Sequence, residues 1–393
     1  MKILVLYNRD ITMDDSGESR TIYNRLRYLA DQPGMEIYVA FHCTPSIHPR
    51  IHEIPFTSVS TAEEVVAEKV HQLIVILGID ILSVPVGRWQ SKLAREAVVG
   101  TTCKVITEFH TRPGYEMRGM WEVMKAQYKL GGAEQLKTAI KMIVWPLYWL
   151  HIRKLQRSNF RNAYLLADRF VLLSSAFFEP YRKWYKLPST NKMRAIGNAV
   201  SWENEASAEE IIHKEKTILV VARFDERHKR ISLILKMWKT LQFLHPDWNL
   251  QVVGFGPDEY LYRKLVQQWQ LERVIFEGRQ QNPEPFYTKA AIFVMTSAFE
   301  GWGMTLCEAM QKGCVPVVMD SFESVHDLIS NGVNGYIVRN NDLKMFIQRV
   351  NQLITQPEVR IRMAYKGPES MRRFSRQAIG EQWVKLYNEV INS

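Results

Sequence analysis

The chain has 393 residues, of which 46% are hydrophobic, and its formal net charge at pH 7 is +10. This length suits two α/β domains, and the hydrophobic fraction can fill sizeable cores, which excludes an intrinsically disordered protein. The positive charge lies in residues 1–200, which hold about 27 Lys and Arg against about 18 Asp and Glu. Nucleic acid, an anionic membrane and anionic substrates are therefore all open as partners.

The cysteines and the apolar segments indicate a cytoplasmic protein. Cys43, Cys103, Cys307 and Cys314 form no CxxC pair and no metal-ligand spacing, so we expect reduced, mostly buried thiols. The first residues are typical of a strand and not of a signal peptide. No apolar run approaches the roughly 20 residues that a membrane-spanning helix needs.

Apolar segments of strand length alternate with helical ones in the first half of the chain. Residues 2–7 are predicted as the first strand, and Asp15-Ser-Gly-Glu18 as a capping box that opens a helix through about Ala30. The alternation favours a doubly wound parallel sheet, whose ligands gather at the carboxyl ends of strands, where Gly17 and His110 would lie. The other predicted elements are strands at 37–41, 79–84, 104–110 and 167–174, and helices at 65–77, 92–99 and 177–185.

Residues 112–161 interrupt this alternation. Between Lys137 and Arg161 the apolar residues fall on helical spacing, which predicts an amphipathic helix pair rich in basic and aromatic side chains. A docked pair with a solvated basic side, a surface resting on anionic lipid, and a nucleic-acid surface are the open interpretations. The basic and aromatic residues between Lys137 and Arg161 are Lys141, Arg153, Lys154, Arg157, Trp145, Tyr148, Trp149 and Phe160.

A polar stretch at 202–216 marks the predicted domain boundary. We assign residues 1–198 to an amino-terminal domain and 199–375 to a carboxyl-terminal one. Residues 376–393 are predicted as a helix that crosses back onto the first domain. The second half repeats the alternation. Its predicted strands are at 217–222, 250–253, 274–277, 291–297, 314–319 and 335–338. Its predicted helices are at 231–244, 325–330 and 376–391, with one more that ends at 268 and one that contains Glu308.

The stretch 291–318 combines a buried strand, a glycine-bearing loop, a short helix and a second buried strand. Gly301 and Gly303 leave backbone amides uncovered just before the helix, an arrangement that suits an anionic or sugar ligand. Glu300 and Glu308 bracket the loop. Two glutamates at this spacing also arise by chance, so local capping or salt bridging is the alternative interpretation.

A basic segment, Arg223-Phe-Asp-Glu-Arg-His-Lys229-Arg230, follows the strand at 217–222. Its cations at the carboxyl end of a strand would make a receptor for a diphosphate, because guanidinium and ammonium groups bind phosphate oxygens strongly. By itself, the segment is also compatible with a solvated run of charges.

These blocks, taken in order, resemble the retaining nucleotide-sugar glycosyltransferases of family 4. The resemblance covers the second half from Thr217 to Gly335, including Gly254-Phe-Gly-Pro257, Glu300-Gly-Trp-Gly-Met-Thr-Leu-Cys-Glu308 and Asn331-Gly-Val-Asn-Gly335. The first half resembles the family more weakly, at Gly17, Glu108-Phe-His110 and Ala195-Ile-Gly-Asn198. The implied fold is GT-B, an α/β architecture of two Rossmann-like domains facing across a cleft.

The resemblance also implies roles for particular residues. Arg223 and Lys229 would bind the donor diphosphate and stabilise the charge that builds on it as it leaves. Glu300 would lie against the donor sugar, and Glu308 would accept hydrogen bonds from the ribose. Further candidates are His110 near the sugar, and Gly17, Gly254, Gly301, Trp302, Gly303 and Met304 around the donor.

The sequence departs from the family pattern in two places. The lysine commonly lies five residues after the arginine, where this chain has His228, so Arg227, His228 or Arg230 could share the role of Lys229. Gly17 is followed by Glu18, which would repel a phosphate, so this loop faces the acceptor or Glu18 caps the helix. A lone histidine such as His110 is also often structural.

No Asp-x-Asp motif occurs, so we expect a metal-independent enzyme without a cofactor, in which Arg and Lys replace the cation. The predicted reaction is transfer of a hexose-type sugar from a UDP or GDP donor to a growing, lipid-linked bacterial surface polysaccharide, such as capsule or lipopolysaccharide. The protein would act as a peripheral protein at the inner face of the cell membrane, without nucleic acid. A nucleotide-sugar epimerase, a phosphorylase and a non-enzymatic basic nucleic-acid-binding protein are the alternatives.

Overall fold

The structure is a computed structural model, and it describes residues 1–7, 11, 17–40, 47–54, 63–85, 91–117, 120, 124 and 132–393. The chain divides into two compact units. The first comprises Met1–Ile196 with Gln382–Ser393, and the second comprises Gly197–Glu381. The start of the predicted capping box, Asp15, and the thiol of Cys43 lie outside the described residues, whereas Cys103, Cys307 and Cys314 are free, buried thiols.

The first unit contains one parallel sheet. Its described strands are β1 (Lys2–Leu6), β2 (Glu36–Ala40), β3 (Ile51–Ile54), β4 (Ile81–Pro85), β5 (Lys104–Phe109), β6 (Arg169–Leu172) and β7 (Met193–Ala195). They lie in the order β3-β2-β1-β4-β5-β6-β7. Since the strand order reverses between β1 and β4, a ligand crevice is expected at the carboxyl ends of these two strands.

Helices connect these strands. Pro146 lies in the first turn of the helix Trp145–Leu166, where a missing amide hydrogen breaks no helical hydrogen bond. The basic-aromatic helix pair predicted between 137 and 161 corresponds to the fourth and fifth helices, although the side chain of Lys137 is outside the described part. The helices are α1 (Gly17–Ala30), α2 (Glu63–Leu77), α3 (Ser91–Ala97), α4 (Gly132–Ile143), α5 (Trp145–Leu166) and α6 (Phe178–Tyr185).

The second unit contains a second parallel sheet. Its strands are β8 (Glu215–Val221), β9 (Asn249–Val253), β10 (Val274–Gly278), β11 (Ala290–Met295), β12 (Val315–Asp320) and β13 (Tyr336–Arg339). They lie in the order β10-β9-β8-β11-β12-β13, so the reversal falls between β8 and β11. The predicted α/β class with two Rossmann-like sheets is confirmed.

Apolar side chains from the second sheet and its helices form a common core. Ile218 and Val294 from the strands pack with Trp238, Phe346 and Met363 from three helices. The helices of this unit are α7 (Ala208–Ile212), α8 (Glu226–Lys229), α9 (Ile231–Leu244), α10 (Glu259–Gln268), α11 (Glu284–Lys289), α12 (Met304–Gln311), α13 (Val325–Leu328), α14 (Leu343–Thr355) and α15 (Pro357–Met371). The last helix, α16 (Arg376–Ile391), begins in the second unit and ends in the first.

Several elements were not predicted. The basic segment treated as a loop contains the short helix α8, and β3, α11, α14 and α15 are absent from the sequence-based assignment. Helix α15 contains Gly367 and Pro368, which obscure its helical pattern. Gly367 is required by packing, because a Cβ there would lie 2.7 Å from the carbonyl oxygen of Met310. Among the described residues, no helix is both long and apolar enough to cross a membrane.

Candidate active site

The two most informative sequence segments meet at the reversal of strand order in the second sheet. Strands β8 and β11 are direct neighbours, with Ile218 opposite Ile292. The basic segment follows β8, and Glu300 follows β11, so both lie at the carboxyl edge of the sheet. This edge is where open α/β sheets bind their ligands.

Lys229 and Glu300 form an ion pair at this edge. The Nζ atom of Lys229 lies 2.6 Å from Oε1 of Glu300, and the two side chains are 16% and 11% exposed. Burial by itself raises the pKa of Glu300, but the charge of Lys229 and a hydrogen bond from His228 outweigh it, so this pKa lies well below its usual value. Glu300 is therefore an anion at neutral pH, and Lys229 compensates its charge.

His228 holds the loop that carries Glu300. Its ring stacks on Phe299 with centroids 4.3 Å apart, and its Nε2 atom lies 2.8 Å from the Phe299 carbonyl oxygen. The same Nε2 atom is 3.6 Å from Oε1 of Glu300. Position 228, where the family pattern commonly has the lysine, is thus occupied by a histidine whose side chain contacts the loop backbone.

The arginines of the basic segment have different environments. Arg223 is exposed, and its side chain makes no hydrogen bond or ion pair within the described part of the chain. Arg227 is also largely exposed and lies 3.7 Å from Asp225. Arg230 instead donates hydrogen bonds to carbonyl oxygens at the end of β11. Arg223 and Arg227 therefore extend towards solvent, whereas the side chains of Lys229 and Arg230 are held by partners within the second unit.

The glycine-bearing loop leads into α12. Gly303 precedes the helix with φ of +90°, a left-handed conformation that favours glycine. The Gly301 carbonyl accepts a hydrogen bond from Ser324 at 2.8 Å, and Met304 is the first residue of the helix. Trp302 is turned into the interior, where its ring lies 5.2 Å from that of Phe374. Trp302 therefore supports the loop by packing in the interior.

Glu308 is buried on α12. Its carboxylate oxygens accept hydrogen bonds from the Ser201 hydroxyl at 2.6 Å and the Tyr287 hydroxyl at 2.8 Å. Glu308 is 2% exposed, so these two donors orient its carboxylate within the second unit. Sequence reasoning missed Ser201 and Tyr287, because neither belongs to a motif and both are distant from Glu308 along the chain.

Gly254 has a packing role that the sequence did not reveal. It directly follows β9 and has φ of +140°, and a Cβ there would lie 1.9 Å from the carbonyl oxygen of Ala222. Ala222 follows β8 directly, so this glycine lets two neighbouring strand ends approach closely. A small pocket lies beside them, lined by Ala222, Lys229, Thr296, Ser297 and Thr305 among others.

Gly17 and His110 belong to the first unit, and the other predicted site residues belong to the second. Gly17 begins α1, and the hydroxyl of Tyr7 donates to Oε1 of the next residue, Glu18, at 2.8 Å. The Nε2 atom of His110 lies 3.4 Å from Oε2 of Glu108. Glu108 in turn accepts a hydrogen bond from Nη1 of the buried Arg25 at 2.6 Å.

The Arg25–Glu108 pair fixes the charge beside His110. Burial raises the pKa of Glu108, but Arg25 and His110 outweigh it and lower this pKa from 4.5 to about 2. The Arg25 guanidinium lies over the ring of Trp383 at 4.2 Å, so the pair also connects α1 and β5 with α16. Within the described ranges, no group of three or more His, Cys, Asp or Glu side chains is arranged to hold a metal ion.

Known glycosyltransferases resemble this chain in sequence. Residues 202–370 match the family of glycosyl transferases group 1. An uncharacterized glycosyltransferase of Haemophilus influenzae is 26% identical over 248 residues, which cover 62% of this chain and 69% of that protein. A Campylobacter jejuni N-acetylgalactosaminyltransferase, whose name specifies a diphospho-undecaprenol-linked sugar, is 28% identical over 189 residues, 47% of this chain and 50% of that protein.

The fold comparison extends over both units. The Anabaena protein HepE, solved in complex with UDP-glucose, superposes with a TM-score of 0.70. The superposition covers 99% of this chain and all of that one, at 15% sequence identity. At this identity the similarity establishes the fold alone.

Proposed function

We propose that this chain, whose residues 202–370 match the group 1 glycosyltransferases, transfers a hexose-type sugar from a nucleoside diphosphate donor, UDP or GDP, to a hydroxyl group of a lipid-linked bacterial surface polysaccharide. The observation that carries this proposal is the Lys229–Glu300 pair at the reversal of strand order. It combines a cation for a diphosphate with a carboxylate for sugar hydroxyls at the edge where such sheets bind ligands.

The proposed chemistry assigns the cations to the leaving group. When the bond between the anomeric carbon and the diphosphate oxygen breaks, the electron pair leaves with the diphosphate and its negative charge increases. Arg223 and Lys229 would offset this charge, since fixed cations stabilise a transition state in which negative charge develops. The acceptor hydroxyl oxygen bonds to the anomeric carbon with retention of configuration, and its proton passes to the leaving diphosphate oxygen.

The carboxylates would recognise the donor by its hydroxyl groups. Glu300, held as an anion, would accept hydrogen bonds from the transferred sugar, and Glu308 from the ribose. Ser201 and Tyr287 donate to Glu308 and so fix its orientation. His110, next to Glu108, is proposed to lie near the donor sugar, and Gly17 near the donor or the acceptor.

Nucleotide binding tests the donor assignment. Thermal unfolding is measured with UDP, GDP and ADP and then with the corresponding sugar nucleotides, because a ligand of the folded state raises the apparent stability by about 2.7 kcal/mol at a hundred times its Kd. We expect one diphosphate, UDP or GDP, to raise the unfolding temperature more than its nucleoside. The absence of stabilisation by all three would contradict the proposal. The UDP-glucose complex of HepE supports UDP as the first ligand to test.

We propose that the acceptor is reached at an anionic membrane surface. Helices α4 and α5 expose large apolar side chains, with Ile143 81% and Leu147 69% exposed. Lys141 precedes them, and the guanidinium of Arg153 lies 4.9 Å from the ring of Trp149. Exposed apolar residues next to cations are typical of helices that lie in a lipid interface. The lipid-linked sugar in the name of the Campylobacter relative supports the same surface.

Sedimentation with vesicles tests this surface. The protein is expected to sediment at low salt with vesicles of phosphatidylglycerol and phosphatidylcholine, and to remain in the supernatant with phosphatidylcholine alone. The double variant Ile143→Ser/Leu147→Ser should bind at least about tenfold more weakly, because it removes two apolar side chains from the interface. Phe243→Ser, which removes a similarly exposed apolar residue from α9, is the control (Phe243 is 75% exposed). Equal sedimentation of all three proteins would contradict the assignment.

A further inference from the structure

Arg230 joins two helices in a backbone conformation that an L-residue rarely adopts. Helix α8 ends at Lys229, α9 begins at Ile231, and Arg230 between them has φ of 50° and ψ of 44°. This left-handed conformation sets the direction in which Lys229 leaves the turn. A non-glycine residue in it needs other interactions to hold it there.

The guanidinium of Arg230 supplies these interactions. Nε donates to the Thr296 carbonyl at 2.6 Å, and Nη2 donates to the Ser297 carbonyl and to Oδ1 of Asn340, both at 2.8 Å. Nη1 donates to Oδ1 of Asn341 at 2.7 Å. All three nitrogens therefore have partners within the second unit, and an arginine cannot rearrange its planar fork towards a phosphate without breaking these bonds.

The end of β11 binds the same turn in return. The Thr296 hydroxyl lies 3.0 Å from the carbonyl oxygens of both Lys229 and Arg230. The amide of Ala298 donates to the His228 carbonyl at 2.7 Å. The backbone of Lys229 is thus attached to the strand whose following loop carries Glu300. This connection places the Lys229 ammonium within 2.6 Å of that carboxylate.

We propose that Arg230 is a positioning residue, which fixes Lys229 for the diphosphate without contacting the ligand itself. This role rests on the proposed function, because it assumes that Lys229 binds the diphosphate. Burial lowers the pKa of Arg230 and Glu226 opposes the shift, but an arginine side chain stays protonated. The guanidinium donates hydrogen bonds to two backbone carbonyls and two asparagine side chains within the protein.

The variant Arg230→Gly tests the side chain separately from the backbone, since glycine adopts the left-handed conformation freely. The probe is whichever of UDP, GDP and ADP the wild type binds most tightly by titration calorimetry. We expect Arg230→Gly to weaken its binding about tenfold, and Arg230→Lys to be no better, because one ammonium group cannot make the four bonds. In the Lys229→Met background, Arg230→Gly should change the affinity less than about twofold.

Two results would overturn the proposal. If Arg230→Lys retains the wild-type affinity, Arg230 acts as a cation on the ligand. If Arg230→Gly weakens binding equally with Lys229 and with Met at that position, Arg230 does not act through Lys229. Should Arg230→Gly fail to fold, the variant Asn340→Ala/Asn341→Gly removes two of the four partners, and glycine tolerates the φ of 69° at position 341. It should then weaken binding in the same Lys229-dependent way.

A crystal structure of the ligand-free variant separates this proposal from the proposed function. We expect the Nζ of Lys229 to lie beyond 4.0 Å from the Glu300 carboxylate in Arg230→Gly, compared with 2.6 Å here. A retained ion pair overturns the positioning role, whether or not a nucleotide binds. If no nucleoside diphosphate binds the wild type but the pair is lost in the variant, the donor assignment fails and the positioning role stands.

Discussion

The ammonium group of Lys229 lies 2.6 Å from the carboxylate of Glu300, and the two residues follow neighbouring strands, β8 and β11. In the free protein each charge compensates the other. If the proposed diphosphate binds at this edge, it competes with Glu300 for Lys229, and donor binding is then linked to the ion pair. The predictions below begin with this pair.

Lys229→Met and Glu300→Gln should each lower kcat for sugar transfer by roughly 10²- to 10³-fold, because each removes a group placed where charge changes in the reaction. Initial rates with the identified donor provide the measurement. The control is the exposed ion pair Lys366–Glu369 in the same unit. The Nζ atom of Lys366 lies 2.8 Å from Oε2 of Glu369. Lys366→Met and Glu369→Gln should keep full activity. Full activity of the Lys229 and Glu300 variants would show that neither residue takes part in the reaction.

Glu308→Gln should reduce the preference for ribose over 2′-deoxyribose in the nucleotide. A carboxylate accepts stronger hydrogen bonds from hydroxyl groups than an amide oxygen, by about 1–3 kcal/mol when the group is charged. Calorimetric Kd values for the ribo- and 2′-deoxyribonucleoside diphosphates give the ratio. Glu272→Gln, which changes an exposed carboxylate (76% exposed side chain), should leave the ratio unchanged. A ratio unaffected by Glu308→Gln would exclude the ribose contact.

Gly254→Ala should destabilise the second unit by at least about 3 kcal/mol, because the added Cβ meets a backbone carbonyl and the left-handed φ disfavours alanine. A Cβ at position 254 would lie 1.9 Å from the carbonyl oxygen of Ala222. Gly278→Ala is the matched control, since Gly278 also has positive φ but nothing within 4 Å of the added atom. It should lose only about 1 kcal/mol. Urea unfolding measures both, and equal losses would show that strain at φ alone matters.

The Arg25–Glu108 pair should make the first unit sensitive to acid. The pKa of Glu108 falls from 4.5 to about 2 on folding, so its stabilising contribution is complete above about pH 4.5 and is lost as the pH falls towards 2. The contribution at neutral pH amounts to about 3 kcal/mol. Urea unfolding between pH 7 and pH 3 should show this decrease in the wild type.

The variant Arg25→Met/Glu108→Leu isolates the effect of this pair. Replacing both buried charges by apolar side chains avoids leaving one of them uncompensated. The stability difference between wild type and this variant should therefore be constant above about pH 5 and change only below the ordinary carboxylate pKa. Parallel pH dependences of the two proteins would show that other carboxylates, such as Glu300, cause the acid sensitivity.

Local sequence patterns determined most of the secondary structure. The apolar residues of α9 recur at helical spacing, and its predicted range, 231–244, agrees with Ile231–Leu244. The strand and helix alternation likewise determined the α/β class and put the basic segment and Glu300 after buried strands. These features depend on neighbouring residues in the chain, so one sequence suffices to find them.

The tertiary structure alone decided the partners of the side chains. It showed that β8 lies beside β11, which brings Lys229 to Glu300, 71 positions away. It separated Arg230, bound by carbonyls and asparagines, from Arg223, which is exposed. It also placed Ser201 and Tyr287 on Glu308 and turned Trp302 inward. The physical reason is that hydrogen bonds and burial depend on which distant strands become neighbours, and a local pattern of apolar and polar residues does not encode that order.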